Sequence, residues 1–111
     1  MARFYLLNKD HTVTPTDDVN AWARMFDDDA ARFVALDTLR DRTTVLTEFV
    51  GLNRGGDDKP LIFETTILEP GSADLMVWRY STWKEAVDGH KFSLTFARNA
   101  EAWAADCGGD E

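Results

Sequence analysis

A single cysteine, three prolines and twelve basic residues against twenty acidic ones are what this 111-residue chain has little of. Each shortage excludes something. Cys107 has no second thiol to pair with, so no intrachain disulfide forms and a reducing compartment fits. The net charge of −8 repels phosphate backbones and anionic headgroups, which argues against direct nucleic-acid binding and against a membrane surface. No apolar run approaches the ~20 residues of a membrane span, and Arg3 is not followed by the apolar stretch of a secretory signal, so a soluble, unsecreted protein is expected.

Chemistry-bearing motifs are missing too. Asp27-Asp28-Asp29 runs into Ala30 without the spacing and glycine of a calcium loop, and reads as a solvated helix end. Gly55-Gly56 lacks the Lys-Ser/Thr pair of a phosphate loop, and Cys107 has no basic neighbour to activate it as a nucleophile. Neither a cofactor nor a metal ion is expected.

What is present is apolar and patterned: 44% of the residues are hydrophobic, enough for one core. One domain over residues 1–105 is expected, followed by a flexible tail over 106–111. Strand formers at about 3–8 and a short return segment from Thr12 to Pro15 precede a helix capped by Thr16 or Asp17. Its Val19, Trp22, Ala23 and Phe26 keep the i, i+3, i+4, i+7 spacing of one buried stripe. Arg32–Leu39, Thr43–Leu52, Leu61–Leu68 and Leu75–Tyr80 read as strands, and Gly51 marks a bulge or a close approach. Their connections are too short for parallel crossovers, so the sheet is four- to five-stranded and mostly antiparallel. The predicted class is α+β in the order β-α-β-β-β-β-α, with one short N-terminal helix and one long C-terminal helix packed on the sheet.

Thr82 and Glu85 stand in the capping-box relation and open the long helix, which is expected to reach about Ala105. At about 100° per residue, Trp83, Ala86, Val87, His90, Leu94 and Ala97 share one stripe, while Phe92, Phe96 and Trp103 lie nearly opposite. One sheet does not cover both. Either the second stripe is an interface, the basis for expecting a homodimer through Phe92, Phe96 and Trp103, or the helix breaks near Gly89 or Asn99 and the aromatics join the core.

Glu48 and Glu64 sit inside adjacent apolar strands and face each other across a hairpin in the simplest pairing. Buried, such carboxylates are candidates for acid–base work, and His90 on the inward stripe is the third candidate. The competing reading has the glutamates on a wet face, or paired with Arg79 in a structural ion pair, and His90 as a hydrogen-bonded core residue.

Thr44–Leu52, Pro60–Thr66 with its Phe63-Glu64-Thr65, Arg79-Tyr80-Ser81-Thr82-Trp83 and Gly89-His90 together resemble a family of small proteins of tailed bacteriophages and prophages. The Trp-Ala-containing helix over Val19–Phe26 is similar as well, while Asn53-Arg54 and Lys59-Pro60 depart from the family's loop. The resemblance covers somewhat under half of the chain. It implies a phage origin and brings no catalytic residues. The leading expectation is an accessory protein that binds a host protein in the infected cytoplasm, its acidic surface aiding approach to a basic partner. The alternatives are a small enzyme or metal-dependent hydrolase built on Glu48, Glu64 and His90, and a minor virion or assembly component.

Overall fold

In this computed structural model the elements run β1 (Phe4–Leu7), β2 (Val13–Thr16), α1 (Val19–Phe26), α2 (Asp29–Arg32), β3 (Phe33–Thr38), β4 (Thr44–Phe49), β5 (Phe63–Leu68), β6 (Met76–Tyr80) and α3 (Trp83–Gly108). The structure describes residues 3–56, 58–72 and 76–108, with side chains through residue 100. The α+β class and the antiparallel pairing are as the sequence predicts.

The main sheet takes the lower of the two expected strand counts, with order β3-β4-β5-β6, and β1 and β2 pair in a separate two-stranded sheet. The division has a local cause. β4 stops at Phe49 because Gly51 turns the chain at φ +72°, where a Cβ would lie 2.7 Å from the Tyr5 carbonyl oxygen and 2.8 Å from Trp22 Nε1. The Phe4–Leu52 bridge, the Tyr5 N–H to Gly51 carbonyl hydrogen bond of 2.8 Å and the Asn53 N–H to Arg3 carbonyl hydrogen bond of 2.9 Å tie the small hairpin to that end of the sheet, and Tyr5, Leu7 and Val13 pack against its core.

α1 is capped by Asp18, two residues after Thr16 and one after Asp17, the two expected caps, because Asp18 accepts hydrogen bonds from the Asn20 and Ala21 amides. Its Trp22 packs between Phe4 and Phe26 and donates Nε1–H to the Val50 carbonyl at 3.1 Å. The single turn of α2, capped by Asp28, was not legible as an element, since four residues hold no periodicity. Thr82 caps α3 as expected: its hydroxyl accepts from the Glu85 amide at 3.1 Å, and the Glu85 carboxylate reaches back to the Ser81 amide at 3.3 Å. α3 runs to Gly108, past the end expected at Ala105 and into the expected tail, of which 109–111 lie outside the described residues. Its 26 residues outrun strands of five or six.

Strict alternation decides the rest. Val45, Thr47 and Phe49 of β4 and Phe63, Thr65 and Ile67 of β5 face α3 and are buried, while Leu46, Glu48, Glu64 and Thr66 take the outer face. Among the described side chains of α3 the buried positions are Ala86, His90 and Ala97, which belong to the stripe predicted from periodicity, and Ser93, which lies just beside it. Phe49, Ile62, Phe63 and Ala86 form one apolar cluster, and Val45, Ile67 and Ala97 form another. Thr47 and Thr65 lie between the two along their strands, so a polar layer crosses the core.

Candidate functional site

That polar layer is a chain of hydrogen bonds. Thr47 and Thr65 are register partners on β4 and β5, and their hydroxyls meet at 2.5 Å. His90 comes from α3 to place Nδ1 2.7 Å from Thr47 Oγ1 and Nε2 2.7 Å from Asp37 Oδ2 on β3. Tyr80 on β6 donates its hydroxyl to Thr65 Oγ1 at 3.1 Å. All four strands and the long helix therefore contribute one group each to a single line.

Its direction follows from chemistry. An ionised carboxylate only accepts, so His90 Nε2 carries a proton toward Asp37, and in the neutral imidazole Nδ1 accepts from Thr47. Thr47 then accepts from Thr65, and Thr65 from Tyr80.

Asp37, His90 and Thr47 stand in the acid, base, hydroxyl sequence of a nucleophilic triad. Thr47 and Thr65 are 0% exposed and His90 is 4% exposed, however, so no substrate reaches either hydroxyl. The line is built like a structural layer, with its only substantially wet end at Asp37, whose side chain is 45% exposed. Ser93, fully buried next along the same helix face, adds a hydroxyl without a hydrogen-bond partner.

Glu48 and Glu64 do sit directly opposite each other in the β4–β5 register, but on the outer face, away from His90. The three candidates do not converge. Glu48 pairs with Arg32, whose guanidinium also meets Asp29 at 2.6 Å and stacks over Phe26 at 4.3 Å. Burial works against the Arg32 charge, yet the hydrogen bonds it donates to Glu48 and Asp29 outweigh it and raise its pKa above the ordinary value. Glu64 pairs with Arg79 at 3.4 Å, the structural ion pair foreseen as the competing reading. Among the described residues, no three His, Cys, Asp or Glu lie together as a metal site.

The interface candidates lie where the helical period puts them. Phe92 is 63% exposed and Phe96 39%, on an unbroken helix, and Phe96 leans on Trp78 of β6 with ring centroids 6.0 Å apart. The Trp103 side chain lies outside the described residues, as does that of Cys107.

A groove of about 420 Å³ opens where the β1–β2 turn meets the start of α3, lined by Asp10, His11, Val13, Ser81, Trp83 and Lys84 among others. His11 has φ +71° and lies flat on the Trp83 indole, centroids 3.6 Å apart. Two hydrogen bonds shape that turn: the Thr12 amide and hydroxyl both donate to Asp10 Oδ1, at 3.1 and 2.5 Å, and hold the Asp10 carboxyl below its ordinary pKa. In the sequence Asn8–His11 reads only as turn chemistry, because contact with residue 83 has no local signal.

Comparison with protein-family models, with curated proteins and with solved structures finds no match to this chain. No described helix is long and apolar enough to cross a membrane.

Proposed function

We propose that this chain is a protein-binding module that works through the outward face of α3. The observation that carries the reading is Phe92, 63% exposed on a helix whose opposite face fills the core. A large aromatic side chain in water gains most from a partner pocket, and aromatic anchors of this kind dominate interface energetics. Residues 91–98 hold Lys91 and Arg98 and no acid, and Asp88, one turn before Phe92, is paired with Lys84 at 3.0 Å, so the strip carries little of the net negative charge of the chain. The acids outside the strip raise the encounter rate with a partner of net positive charge, and the contact itself is made by the aromatics against an apolar patch of that partner.

The resemblance to phage proteins gives the setting: an accessory protein acting on a host protein in the infected cytoplasm, or on a second copy of itself. The buried layer supports binding over catalysis, since its only acid, base and hydroxyl line is closed to substrate.

Phe92→Ser tests the reading, because a side chain this exposed contributes little to the fold. Tagged wild-type protein from infected cells is expected to retain a partner that Phe92→Ser loses at unchanged melting temperature. Equal recovery by both proteins would place the contact elsewhere. The virion reading predicts instead that the protein is recovered in purified particles.

A further inference from the structure

The main sheet has two edges, and they are built differently. β3 carries the devices that keep an edge from pairing with another strand: a register break between Phe33 and Ala35, and an inward-facing charge, Asp37, committed to His90. β6 has none of them. Met76-Val77-Trp78-Arg79-Tyr80 contains no proline and no acid and keeps a regular register with β5, its only strand partner among the described residues. Met76 is 41% and Val77 37% exposed, and Phe96 covers the flank beside Trp78.

We infer that β6 pairs antiparallel with β6 of a second copy, joining two four-stranded sheets into one of eight with both α3 helices on the same side. It uses Phe96 from the binding reading above and otherwise stands independently of any host partner. Three observations select a second copy. A chain of net charge −8 repels itself except where acid is absent, and the strip formed by 76–80 and 91–98 contains no Asp or Glu. Centring the pairing on Trp78 sets Val77 opposite Arg79 of the second copy, so no like charges meet across the two-fold axis. The same register brings both Trp78 indoles to the α3 side, each already edge-on to a Phe96 ring, into one aromatic cluster.

Val77 points to the face opposite α3, so its variants probe the edge without touching Phe92. Val77→Lys places a cation against Arg79 of the second copy twice per dimer and is expected to weaken dimerisation about tenfold, less so at high salt. Val77→Glu meets the same arginine with the opposite sign and is expected to keep or tighten the dimer. Sedimentation equilibrium of the full chain, with hydrogen exchange at the β6 amides, reads both. A wild-type chain that stays monomeric to ~1 mM overturns the inference and leaves β6 open to a foreign extended segment. So does a dimer on which the two substitutions act alike. Loss of partner capture in Phe92→Ser is read separately, so either idea fails without the other.

Discussion

His90 Nδ1 and Thr47 Oγ1 sit 2.7 Å apart in a layer where Thr47 is 0% and His90 4% exposed. Removing the hydroxyl alone leaves the imidazole nitrogen without its partner in a place water does not reach. Thr47→Val is therefore expected to cost about 1–3 kcal/mol, and Thr65→Val a similar amount. Because the two hydroxyls serve one line, the double variant is expected to cost less than the sum by more than ~0.5 kcal/mol. Urea unfolding of the three variants checks this, and strict additivity would mean that the layer is not a connected unit.

Gly89 lies under the Tyr80 ring, and a Cβ at that position would collide with Cζ, Cε1 and Oη. Helix propensity alone favours alanine there by about 1 kcal/mol. Overpacking against the aromatic ring outweighs it, so Gly89→Ala is expected to lower stability by about 1–3 kcal/mol. A rise in melting temperature would show that Tyr80 moves aside freely.

The two outer-face ion pairs are expected to behave unequally. Arg32 is 6% exposed and braced by two carboxylates, so Arg32→Ala leaves Glu48 unpaired and costs about 3 kcal/mol. The Arg79 and Glu64 side chains are 40% and 23% exposed, and Glu64→Gln is expected to cost at most ~1 kcal/mol. Denaturant midpoints at constant slope measure both, and equal losses would contradict the burial difference.

Acidification acts on the β1–β2 turn through Asp10. Its folded pKa lies below the ordinary 3.8, so between those two values the unfolded chain binds the proton and the folded one does not. The contribution is present above 3.8 and is lost as pH falls through the folded value. The Thr12 amide resonance is expected to follow that titration, and Thr12→Val is expected to move the Asp10 midpoint up toward 3.8. An unmoved midpoint would mean that Thr12 does not hold the carboxylate.

Much of this was legible in order along the chain. The stripe of Ala86, His90 and Ala97, the cap at Thr82, the close approach at Gly51 and the two-faced helix with Phe92 outside all follow from local periodicity and backbone freedom, whereas the strand expected to run on to Leu52 ends at Phe49. The layer itself was not. Thr47 and Thr65 look like ordinary strand formers, and nothing near them names Asp37 or Tyr80, which join through the register of four strands. The sequence allows Glu48 and Glu64 to face each other, and the register pairs them, but their separation from His90 is a matter of parity, since one step along a strand exchanges the faces.

Alternation, helical period and turn residues act over a few positions, so the amino-acid sequence by itself determined the α+β class, the buried helix face and the exposed aromatic one. Which groups meet across the core, and which sheet edge stays open, was decided only when strand order, register and the docking of α3 brought distant residues together. Hydrogen bonds and ion pairs depend on distances of a few ångströms, and no spacing along the chain encodes those.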